Sequence, residues 1–132
     1  MKRAKVNREY MDKGSASINE DDIRNAAENA DRVKVKALKS TTLKKFIGDL
    51  SLLASLVKDY WNGSYRTIPY KAIGVIVFTL LYVLNIADVI PDIIPGAGLL
   101  DDASVIAFCL KTVSTELDKY KIWKNSIEPE KQ

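Results

Sequence analysis

Four carboxylates dominate the chemistry open to this chain. Asp88, Asp92, Asp101 and Asp102 fall within fifteen residues otherwise made of Val, Ile, Leu, Ala, Pro and Gly. The first two open tandem Asp-x-Ile-Pro units at 88–91 and 92–95. An ionised carboxylate in apolar surroundings is costly unless it finds a cation, hydrogen-bond donors, water or a proton. Three partners fit these residue types. Aspartate is a preferred N-cap, so Asp88 and Asp92 can cap short turns, and Asp101 or Asp102 can cap a following helix. A cation from the basic half of the chain, such as Arg66 or Lys71, can form a partly buried ion pair with them. A hard divalent cation, Mg²⁺ or Ca²⁺, takes carboxylate oxygens together with carbonyls that Pro91 and Pro95 leave free, although the spacing is not that of an EF-hand loop.

Composition removes most other chemistry. Among 132 residues there is no histidine and one cysteine, Cys109. No Ser-His-Asp or Cys-His nucleophile, His-ligated zinc or internal disulfide can be built. Paired carboxylates do acid–base work only with separated pKa values around a substrate pocket. Neither a nucleophile with its base nor a phosphate-cradling glycine loop accompanies these, so a non-enzymatic protein is expected.

The elements that must position the four aspartates read as helices throughout, with no strand signal. Residues 1–16 are polar and form an expected flexible tail. Ser17-Ile18-Asn19-Glu20 has capping-box spacing, and Ile23, Ala26, Ala27, Ala30, Val33 and Ala37 form a narrow, alanine-rich stripe expected to pack weakly or against a partner. Thr41 or Thr42 can cap a second, amphipathic helix through Leu43, Phe46, Ile47, Leu50, Leu53, Val57 and Tyr60, stopped by Asn62-Gly63. Pro69 opens a third. From Ala72 to Ala87 come 16 uncharged residues, almost all apolar. As a helix they span ~24 Å, short of a ~30 Å hydrocarbon core. They suit either the centre of a small bundle or one arm of a hairpin entering a bilayer. Pro91 and Pro95 end that helix, and Gly96 with Gly98 permits a reversal. A last helix then runs from Asp101 or Asp102 to about Trp123, leaving a frayed C-terminus.

Charge is unevenly placed. Residues 1–71 hold 15 Lys/Arg against 9 Asp/Glu, residues 72–110 hold four Asp and no cation, and the net charge is +3. The densest basic run is Arg32, Lys34, Lys36, Lys39, Lys44 and Lys45. It reads as a solvated helix face or as a surface for anionic lipid. No base-stacking or base-reading constellation accompanies it, so nucleic acid is not an expected partner.

At the acidic turn the sequence resembles the YkvA-like family, domain of unknown function 1232. Tyr82, Asp88, Ile90, Pro91, Asp92, Ile94, Pro95, Gly98, Asp101 and Asp102 match its pattern position by position. Ile86 stands where the family usually has Pro, and Val89 replaces Leu. The match covers about residues 65–112. It implies a bacterial, membrane-associated protein and brings no biochemical activity with it.

The expectation is an all-α bundle of about four helices around a central apolar hairpin broken by the Asp/Pro/Gly turn. Its parts are a flexible tail (1–16), a basic amphipathic region (17–64), the hydrophobic hairpin (65–125) and a frayed end (126–132). Lipid at the cytoplasmic side of a bacterial inner membrane is the leading partner. The alternative is a cytoplasmic interaction module that meets a helical protein or a second copy of itself, with a divalent cation at its acidic turn.

Overall fold

A computed structural model of the chain describes residues 12–41, 43–88 and 102–127, apart from the side chains of 85–88 and 102–103. The described residues are all-helical. They form α1 (residues 12–16), α2 (Glu20–Glu28), α3 (Ala30–Leu38), the 3₁₀ turn η1 (Lys44–Phe46), α4 (Ile47–Trp61), α5 (Tyr70–Asp88), α6 (Asp102–Thr112) and α7 (Ser114–Ile127).

Seven α-helices, rather than about four, are found among the described residues, and two of the expected helical stretches are divided. The first breaks at Asn29, whose backbone (φ −108, ψ 14) leaves the helical region. Its side-chain amide donates to the Asn25 carbonyl at 2.8 Å, so the side chain offers the chain end an alternative to the helical ladder. The last stretch bends at Val113, where hydrogen bonds from Val113 N to Cys109 O and from Leu117 N to Val113 O bridge α6 and α7. Gly63, at φ 89, supplies the left-handed residue that ends α4, as the Asn62-Gly63 pair suggested.

Four local readings are corrected. The capping box lies two residues later than Ser17–Glu20: Asn19 Oδ1 accepts from Asp22 N and Asp22 Oδ2 accepts from Asn19 N, each at 3.0 Å. Before α4 it is Ser40, not Thr41, whose hydroxyl accepts from the Leu43 amide; Thr42 lies outside the described residues. Residues 12–16 are helical rather than part of a loose tail, and α7 continues to Ile127 instead of fraying after Trp123.

The alanine stripe does not pack weakly. Ala26, Ala30, Val33 and Ala37 are 0–1% exposed, because α2 and α3 both press on α4 and α5. Small side chains let those helix backbones approach closely, and the same closeness forbids larger ones. Ala30→Leu is therefore expected to cost about 1–3 kcal/mol, measured by urea unfolding, although leucine is a good helix former. Unchanged stability would show that the contact has room.

Helix α5 is the centre of the bundle, packed by α2, α3, α4 and α6. Ile73, Ile76, Val77 and Leu80 are fully buried. Each such side chain contributes about 1.5–3 kcal/mol relative to exposure. An isolated hydrophobic hairpin over 69–113 is not what the described residues show. Moving α5 into lipid would bare Ile23, Val33, Leu50, Leu53 and Leu56 on its neighbours, all buried now.

Candidate functional site

The acidic turn is bracketed rather than displayed. Asp88 is the last residue of α5 and Asp102 the first of α6. Asp92, Asp101, Pro91, Pro95, Gly96 and Gly98 lie outside the described residues, as do the side chains of Asp88 and Asp102. Two cations offered to the carboxylates as a group, Lys71 and Arg66, sit at the other end of α5 from Asp88. Lys71 opens the same helix 17 residues earlier, about 26 Å away along the axis. Arg66 belongs to the loop before α5 and lies over the Tyr60 ring, 4.5 Å from its centroid. Among the described residues no group of three or more Asp, Glu, Cys or His could hold a metal ion.

The end of α5 shares its side of the bundle with the basic run. Lys58, near the end of α4, meets Asp31, near the start of α3, at 3.3 Å, so these helices run antiparallel. The eight-residue connection 62–69 returns α5 antiparallel to α4. The C-termini of α3 and α5 therefore point the same way as the α4 N-terminus. That corner carries Lys39, Lys44 and Lys45.

On α3 and η1, Arg32, Lys34, Lys39, Lys44 and Lys45 are exposed and Lys36 is half-buried. Arg32 donates to Asn29 Oδ1 at 3.1 Å, and the Lys45 ammonium lies 5.8 Å from the Phe46 ring centroid. Between these cations Val35 and Leu38 stand 51% and 53% exposed. Cations around two apolar side chains suit a surface that is anionic outside and oily beneath.

A polar cluster invisible in the sequence joins α7 to α4. The Tyr120 hydroxyl donates to Asp59 Oδ2 at 2.5 Å and lies 2.6 Å from Ser55 Oγ, and Lys124 Nζ donates to the same Asp59 oxygen at 2.9 Å. Tyr65 stacks edgewise on Tyr120 at 5.1 Å and lies 5.0 Å from Trp123. Burial, then the Asp59 carboxylate, pushes the Tyr120 phenol up to about 12. Burial works against the Lys124 charge, yet its bond to Asp59 holds the ammonium above the ordinary lysine value. Every polar group in this cluster has a partner, so it acts as a clasp. Ser55 and Asp59 are one helical turn apart, as are Tyr120 and Lys124, but neither spacing says that the two pairs meet.

Cys109 is no nucleophile. It is fully buried between α5 and α6, and burial, partly opposed by a Thr79 hydrogen bond, pushes its thiol up to about 12.

Residues 72–108, covering most of α5, the acidic turn and most of α6, match the family described as "Protein of unknown function (DUF1232)". Over 87 residues the chain is 31% identical to a Bacillus subtilis (strain 168) protein described as "Uncharacterized membrane protein YkvA", spanning 66% of this chain and 82% of that one. No solved structure matches.

Proposed function

From the premise that this chain belongs to the DUF1232 family, we propose that it is a non-enzymatic helical bundle resting on an anionic bilayer surface through its α3–η1 corner. The observation that carries this reading is the exposure of Val35 and Leu38 among Arg32, Lys34, Lys39, Lys44 and Lys45. Each Lys or Arg near an anionic surface is worth about 1 kcal/mol, so four or five cations with two apolar contacts give reversible docking, not insertion. The relative described as a membrane protein supports a membrane location. No helix among the described residues is long and apolar enough to cross a membrane, which favours a surface pose. The positive corner suits the cytoplasmic leaflet of a bacterial inner membrane.

Sedimentation with vesicles checks it. Phosphatidylglycerol-containing vesicles at low salt are expected to carry the protein down, and pure phosphatidylcholine vesicles are not. The triple change Lys39→Glu, Lys44→Glu, Lys45→Glu is expected to weaken binding at least tenfold without altering helicity. Loss of binding on raising salt fits the same electrostatic origin.

One observation favours a second reading, a helical interaction module that works without lipid. Helix α5 is enclosed by α2, α3, α4 and α6, as a module built around a central apolar helix requires. A protein that stays in the supernatant with every vesicle, as one defined oligomer, would support this reading and end the first.

A further inference from the structure

Helix α5 is apolar on opposite sides, and its second stripe meets the N-terminal segment at Phe78 and Gly74. Lys71, Val75, Phe78 and Tyr82 follow at i, i+4, i+7 and i+11, opposite the core stripe of Ile73, Val77, Leu80 and Leu84. Val75 and Tyr82 are nonetheless only 7% and 8% exposed, and Phe78 is half-buried. The N-terminal segment lies over Phe78. Gly14 lies against the Phe78 ring so closely that a Cβ there would collide with it. A Cβ on Gly74 would stand 2.7 Å from the Ser15 carbonyl oxygen. Ile18 is buried, and its carbonyl accepts a hydrogen bond from the Tyr70 hydroxyl at 3.2 Å.

This contact is shaped to close and weakly tied. Two glycines make the approach, Asp12, Lys13, Ala16 and Ser17 are exposed, and the bonds of Ser15 and Ser17 stay within the segment. The sequence up to Lys13 carries Lys2, Arg3, Lys5, Arg8 and Lys13 against Glu9 and Asp12, so an anionic surface attracts it.

We propose that residues 12–18 are a displaceable strap over Phe78 and Gly74 of α5, and that an anionic bilayer draws the basic N-terminal segment away and receives the Phe78 ring in its place. This rests on the bilayer reading given above. The strap is a conformational step added to it: docking by the α3–η1 corner comes first, and uncovering of Phe78 deepens the attachment.

Two variants test the strap in the full chain. Gly74→Ala favours the α5 helix while pressing on the Ser15 backbone. It is expected to speed tryptic cleavage after Lys13 and to tighten binding to phosphatidylglycerol vesicles, each at least fivefold, with helicity unchanged. The pair Ser15→Cys, Gly74→Cys supplies a reversible tether: a Cβ on Gly74 stands 3.9 Å from Ser15 Cβ, close to the ~3.8 Å of a disulfide, and 2.7 Å from the Ser15 carbonyl oxygen, so the reduced pair presses on the segment as Gly74→Ala does and only oxidation holds it on α5. Oxidised, this protein is expected to bind the vesicles at least fivefold more weakly than after reduction. Equal binding in both states, or unchanged cleavage of Gly74→Ala, overturns the strap and leaves the α3–η1 corner standing. Absence of wild-type binding to anionic vesicles overturns both.

Discussion

Tyr120→Ala is expected to lower the unfolding free energy by about 3–5 kcal/mol, the range for truncating a buried aromatic side chain. That is a large share of the roughly 5–15 kcal/mol that holds a domain together. Tyr120 is fully buried, and its ring is the piece of α7 that Tyr65 and Trp123 stack on. Truncation also removes the phenol that donates to Asp59 and meets Ser55, leaving Asp59 to Lys124 alone. Tyr120→Phe separates the two contributions. It keeps the ring and is expected to cost about 1–3 kcal/mol, because a buried carboxylate oxygen loses a donor. Urea unfolding gives both values. The location of the damage is a further check, since α7 has Leu117 and Tyr120 as its buried anchors, so proteolysis of the alanine variant should begin there. Equal loss in the two variants would mean that the hydroxyl network, not the ring, carries the clasp.

What could be read from the residues alone was whatever local order decides. The uninterrupted apolar run after Pro69 sufficed to place α5, and Asn62-Gly63 sufficed to end α4, because a left-handed glycine acts on its own neighbours. The alanine stripe was legible as a face but misjudged in strength. Its tightness depends on how near α4 and α5 come, which no residue of α2 or α3 announces. The division at Asn29 turns on a side-chain bond competing with the helix, and asparagine tolerates both states. The clasp escaped for the same reason as the strap. Ser55 and Tyr120 are 65 residues apart, and Ser15 meets Gly74 across 59. Of the candidate sites, the basic corner was legible by charge density alone, and Val35 and Leu38 emerged as exposed only once the buried side of α3 was known.

Alkaline unfolding should be steep and should begin with groups that have no exposed role. Burial raises the Cys109 thiol from 9.0 to about 12, and burial with the Asp59 bond raises the Tyr120 phenol from 10.0 to about 12. In each case the folded chain keeps a proton that the unfolded chain releases. Their stabilising contributions are complete below pH 9 and are lost as pH climbs towards about 12, first from the thiol and, above pH 10, from the phenol as well. Lys124 pushes in the same direction, since its ammonium is held above the ordinary lysine value and its bond to Asp59 lapses on deprotonation. For the thiol alone the difference between 9 and about 12 corresponds to about 4 kcal/mol, enough to halve the stability of an ordinary domain. Under reducing conditions, thiolate absorbance is therefore expected to rise together with the loss of helical circular dichroism, not ahead of it. Cys109→Ala should delay the decline by about one pH unit, since it leaves only the later phenol and ammonium groups to titrate. A thiolate signal near pH 9 in a fully helical protein would show that Cys109 reaches solvent without unfolding, and would undo its placement between α5 and α6.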